Sequence, residues 1–231
     1  MLRDNSQRAK NAIVLFWILF GVTVIAIAST FMEYNLAKKA LTSSITLDEA
    51  NSNDLRQKII KFLVLIVQIL VIVYFIMWFR RAYFNLHSLG CYVRYSEGWA
   101  AGAWFVPFLN LVRPYEIMKD IWDRTQERTQ EGIEDKRIES PAIVGFWWFL
   151  WLATNIAGNI YAWTFISGEK TVQALISRNS TAMILDAANL VNLFVTITII
   201  KKISGFEEKL KDVIAVEGIA AEETRSTVVA D

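Results

Sequence analysis

Residues 59–79 read IIKFLVLIVQILVIVYFIMWF, interrupted only by Lys61 and Gln68 and closed at once by Arg80 and Arg81. A bilayer core about 30 Å thick is crossed by roughly 20 apolar residues in helical form, because backbone groups left unpaired in lipid are too costly. This run meets that demand, and the two arginines sit where a headgroup boundary places basic residues. Three more runs match it, at residues 12–32, 141–166 and 182–200, the last closed by Lys201 and Lys202. The fold class expected is therefore all-α, a polytopic transmembrane helix bundle of four spans.

Composition agrees. Hydrophobic residues make up 54% of the 231, against roughly 45–50% in soluble domains. Mean hydropathy is +0.33, with long apolar runs alternating with short charged stretches. A net charge of +1 gives no basic surface for nucleic acid, so none is expected as a partner. Cys91 is the only cysteine and His87 the only histidine, which excludes an internal disulfide and a cysteine-based zinc cluster. No cofactor is implied.

The first run could imitate a signal peptide, since Arg3, Arg8 and Lys10 precede it and Ala26-Ile27-Ala28 resembles a cleavage site. Its apolar character continues through Met32, long enough to span, and the reading keeps it as an uncleaved first span.

Residues 98–112 are ambiguous. As a helix they reach only about 22 Å at 1.5 Å per residue, and Pro107 removes a backbone donor inside them. A re-entrant or broken segment is favoured over a fifth span. Positive residues do not separate the two topologies. With four spans and the N-terminus inside, 17 of the 24 lysines and arginines face the cytoplasm; with five spans and the N-terminus outside, 16 do. Both leave the C-terminus inside.

The most distinctive stretch runs from Phe79 to about Gln126. It carries Asn85, Leu89-Gly90, Trp104, Pro107-Phe108-Leu109-Asn110-Leu111, Arg113-Pro114 and Trp122. It resembles the bacterial membrane family catalogued as domain of unknown function 4328, with Asn85, Gly90, Trp104, Pro107, Asn110, Arg113, Pro114 and Trp122 as the matching residues. The resemblance implies a polytopic bacterial membrane protein with cytoplasmic termini, and it implies no activity.

Several groups invite a chemical reading. Pro107, Asn110, Arg113 and Pro114 either open a broken helix to a ligand or simply shape a hairpin. His87 and Cys91 would share a face if the second helix continued that far, although Gly90 between them reads as a helix end. Asn155 and Asn159 in the third run and Asp186, Asn189 and Asn192 in the fourth would form an intramembrane polar groove or interhelical hydrogen bonds. Residues 115–128 have helical periodicity, with Tyr115, Met118, Ile121, Trp122 and Thr125 on one side. Glu116, Lys119, Asp120, Asp123 and Arg124 take the other, as suits either a connector whose apolar side needs cover or a surface or docking helix.

Residues 33–58 are expected to form a polar loop. Residues 1–204 are expected to form the transmembrane domain and 205–231 a cytoplasmic tail, with a short helix after Gly205 and disorder beyond Glu217. Signatures of His-Glu-x-x-His, glycine-rich phosphate loop or Gly-x-Ser-x-Gly type are missing, so no catalytic residue, bound cofactor or metal is assigned and the chain is read as not an enzyme. No internal repeat is seen. The favoured function is a non-enzymatic scaffold or accessory subunit of a bacterial inner-membrane assembly, with lipid bilayer and itself or another membrane protein as partners. The alternative is a small transporter or channel-like protein using the broken segment 98–114 and the polar residues of the last two spans.

Overall fold

A computed structural model describes residues 2–135, 137–169 and 171–230, with the side chains of 165–167 and 220–230 left out. Every regular element among the described residues is helical: α1 (Ser6–Thr42), α2 (Leu47–Ser88), α3 (Trp99–Gly102), α4 (Arg113–Thr129), α5 (Ala142–Ser167) and α6 (Val172–Ala230). Four of these, α1, α2, α5 and α6, are long and apolar enough to cross a membrane. They contain the runs read from sequence, except that Pro141, the first residue of the third run, lies just before α5. Residues 98–112 form the short α3, turns and a 3-10 turn at Leu109–Leu111, with no helix of spanning length.

The helices outlast their apolar runs. The expected loop at 33–58 shrinks to residues 43–46, because Thr46 and Glu49 form a reciprocal cap at the start of α2. Glu49 N–H donates to Thr46 Oγ1 at 3.2 Å, and Thr46 N–H donates to Glu49 Oε2 at 2.9 Å. Ser140 Oγ accepts from Ala142 N–H to start α5, and Thr171 Oγ1 accepts from Ala174 N–H to start α6. At its other end α6 runs through Gly205 to Ala230.

The chain forms two compact units. One comprises Asn11–Tyr74 and Phe146–Ile197 and holds most of the apolar length of the four helices. In it, Ala12, Phe16, Leu19, Ala37 and Val71 are buried, as are Trp147, Trp148 and Val195. Polar clasps join the α1 and α2 extensions: Arg56 Nε donates to Ser29 Oγ at 3.1 Å, Gln57 Nε2 to Ser29 O at 3.1 Å, and Asn53 Nδ2 to Glu33 Oε1 at 3.2 Å. Much of the apolar surface points outward. Only 11% of the most apolar window of α2 is buried, and Phe62, Leu65 and Ile69 are exposed. That distribution suits a helix bathed in lipid, where apolar surface is at no disadvantage.

The other unit comprises Met1–Lys10, Phe75–Gly145 and Thr198–Asp231. Its core is dense in large side chains: Trp78, Phe79, Tyr83, Leu86, Ile117, Met118, Ile121 and Trp122 are all at most 1% exposed. Ile199, Ile200 and Ile203 of α6 are equally buried. The apolar side of α4 is thus covered by its own chain, as a connector requires, and is not left for a membrane surface or partner. Asp120, which the periodicity placed on the polar side, is buried with it.

Candidate functional site

The family-like stretch lies in the aromatic unit, and its residues have distinct structural uses. Asn85 is buried near the end of α2. Its Oδ1 accepts from Arg3 N–H at 3.1 Å, and its Nδ2 donates to Arg3 O at 2.9 Å and to Glu207 Oε1 at 3.3 Å. Asn5 joins from the N-terminal segment, its Nδ2 lying 3.2 and 3.1 Å from the two Glu207 carboxylate oxygens. One asparagine thus ties the chain start, α2 and α6 together around a carboxylate that is 6% exposed. Hydrogen bonds to a charged acceptor are the stronger kind, which compensates part of the cost of burying it.

Gly90 terminates α2 at φ +70°, with Cys91 N–H donating to Leu86 O and Gly90 N–H to His87 O. This paired arrangement is a Schellman cap, and it requires a residue at ease with positive φ. His87 therefore stays on the helix while Cys91 leaves it, and the face-sharing pair does not form. Among the described residues no group of three or more His, Cys, Asp or Glu is placed to hold a metal ion.

Trp104 sets its ring edge-on to Phe75 and Phe79, at centroid distances of 5.6 and 5.9 Å. Pro107 opens a tight turn in which Leu109 N–H donates to Pro107 O at 2.8 Å, with Phe108 held at φ 64°. A non-glycine residue in that region is strained, of order 1–3 kcal/mol. The turn exposes Phe105, Phe108, Leu111 and Val112. Asn110 is half-buried, and its side-chain amide makes no hydrogen bond among the described residues.

Arg113 stacks its guanidinium over Trp99 at 3.8 Å and Tyr95 at 4.9 Å. Its partner Pro114 occupies the first turn of α4, where a missing N–H costs nothing. Trp122 donates from Nε1 to Glu139 O at 2.9 Å and meets Phe206 of α6 edge-on at 5.2 Å. Asp120 accepts Arg94 N–H at 3.1 Å, and its carboxyl is pushed above the usual range chiefly by burial.

A cavity of about 460 Å³ opens beside the α2 cap, between Gly90, Cys91 and Tyr92 on one side and Arg124, Glu127 and Arg128 of α4 with Glu131 just beyond it on the other. Its charges are mutually neutralised: Arg124 pairs with Glu127, and Arg128 with Glu131 and Glu217. Burial raises the Cys91 thiol, the opposite of what a reactive thiolate needs.

The proposed polar groove belongs to the four-span unit, and among the described residues no hydrogen bond joins its two halves. Asn155 and Asn159 are exposed, and each donates back along α5, to Trp151 O and Asn155 O, both at 2.8 Å. Asp186 and Asn189 are half-buried, and Asn192 is buried with its Oδ1 unsatisfied. Residues that sequence reasoning missed are Asn5 and Glu207, whose meeting with Asn85 is nonlocal and leaves no local pattern.

The family described as Domain of unknown function (DUF4328) matches residues 41–205, which covers Asn85 through Trp122 and three of the four spanning helices in whole or large part. No curated protein and no solved structure matches the chain.

Proposed function

The chain belongs to the DUF4328 family, and from its own geometry we propose that it is a non-enzymatic scaffold or accessory subunit of a membrane assembly. The supporting observation is the use made of the family-like residues. Asn85, Gly90, Trp104, Pro114 and Trp122 serve caps, ring contacts and hydrogen bonds within one compact unit, and Arg113 serves a cation–π stack. A motif that builds a rigid platform at the ends of membrane helices is what a scaffold requires. The setting we assign is the bacterial cytoplasmic membrane, with both termini and the aromatic unit on the cytoplasmic side; the four helices of spanning length support this over a five-span layout, and the lysine and arginine count is compatible with it. Its partners are the lipid bilayer and either itself or another membrane protein.

The test is the mass of the full chain extracted in mild detergent, after cross-linking in its native membrane. A defined homo-oligomer, or a stoichiometric complex with a membrane protein, is expected. A monodisperse monomer with no cross-linked partner would refute the reading.

One observation favours a small transporter instead. A largely apolar cavity of about 520 Å³ lies in the four-span unit, lined by Ala157, Ile160, Tyr161, Arg178 and Leu185 among others. On that reading, replacing Tyr161 with phenylalanine and Arg178 with leucine, two residues that line the cavity, abolishes solute uptake while the protein still folds. Uptake that persists in the double variant removes the transporter reading.

A further inference from the structure

Arg3 and Arg8 precede the first apolar run, and Arg80 and Arg81 close the second, some seventy residues later. The fold brings all four to one cavity of about 240 Å³, which Phe84 and Glu97 complete. Four guanidiniums against one carboxylate leave a strong positive excess in a small volume. The other nearby acid, Asp4, is taken by Lys211 and Ser6.

Little within the chain offsets that excess. Arg80 reaches Glu97 at 3.3 Å. Arg8 donates to the Met77 carbonyl at 3.0 Å, which uses one N–H and neutralises no charge. Arg3 lies over the Phe84 ring at 4.1 Å, and the Arg81 side chain has neither hydrogen bond nor ion pair among the described residues. Each guanidinium carries five donors in a planar fork that matches phosphate oxygens two at a time. A water takes about 30 Å³ of liquid volume, so this cavity is roughly eight waters in size and admits a phosphate group. The cavity at Cys91 differs in that its arginines are already paired with glutamates.

We propose that Arg3, Arg8, Arg80 and Arg81 form a binding site for a phosphate-bearing anion. The site lies where two apolar runs end, at the depth of lipid headgroups. The phosphate therefore comes from an anionic phospholipid or from a soluble phosphate, and the chemistry that recognises it is the same.

The full chain in dodecylmaltoside micelles serves for both sources. Native mass spectrometry counts bound phosphatidylglycerol against phosphatidylcholine, and thermal unfolding is followed with inorganic phosphate or chloride at equal ionic strength. The expected result is at least a tenfold preference for phosphatidylglycerol, or a phosphate-specific rise in unfolding temperature. A lipid preference that phosphate does not displace identifies the headgroup; displacement by phosphate identifies the soluble anion. Arg81→Gln, which breaks no bond in the fold, weakens binding tenfold or more, and Arg81→Lys weakens it less. Glu97→Gln frees Arg80 and strengthens binding severalfold, a gain that misfolding cannot mimic. Equal binding of both lipids with no phosphate effect overturns the site, as does an unchanged affinity in Arg81→Gln or Glu97→Gln.

Discussion

Replacing Asn85 with alanine removes three hydrogen bonds at a single buried position. Two join its amide to the Arg3 backbone at 3.1 and 2.9 Å, and one reaches the Glu207 carboxylate at 3.3 Å. A neutral hydrogen bond is worth about 0.5–1.5 kcal/mol net and one to a charged group about 1.5–3. Arg3 is exposed, so water partly replaces its lost partners, while Glu207 is buried and keeps Asn5 as its side-chain partner. The expected loss is about 2–4 kcal/mol. Asn85→Asp should be worse at neutral pH, because it sets a second carboxylate against the first. Stability is read by sodium dodecyl sulfate titration in dodecylmaltoside, with the fluorescence of the nine tryptophans checked against circular dichroism. Paired Asn85→Ala and Glu207→Ala substitutions should couple by at least about 0.5 kcal/mol. A loss below about 0.5 kcal/mol in Asn85→Ala, or an Asn85→Asp protein as stable as wild type, would refute the view that this network holds the unit together.

Three further outcomes follow from the same unit. Gly90→Ala should cost about 1 kcal/mol in the same titration, a purely conformational effect, because nothing lies within 4 Å of an added Cβ at φ +70°. Arg113→Leu should cost about 1–2 kcal/mol by removing two ring contacts, and Arg113→Lys should restore part of it. For Asp120, burial raises the folded-state value above the ordinary 3.8, so its contribution to stability is full below 3.8 and is lost as pH rises through the folded value. Asp120→Asn should therefore gain on wild type as pH is raised from about 4, and a difference that stays flat with pH would contradict the burial argument.

The four spans were legible because lipid imposes a length and a composition that few soluble segments share. Where the helices end was not, since hydropathy marks where a helix leaves lipid and says nothing of its continuation in water. The Thr46–Glu49 cap was present in the sequence as a signal that residues 33–58 are mostly helical. Periodicity placed Met118, Ile121, Trp122 and Thr125 on the buried side of α4, while Asp120 was misplaced because one backbone N–H from Arg94 gives it an inward partner. Gly90 was readable as a helix end from residue type alone. The convergence of Asn5, Asn85 and Glu207, and that of Arg3 and Arg8 with Arg80 and Arg81, depends on tertiary contacts across 69 to 202 residues, which no window along the chain reports.

The central claim is a four-span chain in which residues 98–112 return to the side they left, placing the aromatic unit in the cytoplasm. Labelling Cys91 with a membrane-impermeant maleimide in intact cells tests it most directly, with a permeabilised, denatured sample to expose the half-buried thiol. A Ser44→Cys, Cys91→Ser variant reports the opposite side, from the exposed turn between α1 and α2. The account predicts that Cys91 is protected until permeabilisation and that the cysteine at position 44 is labelled in intact cells. Labelling of Cys91 in intact cells, with protection at position 44, would contradict it.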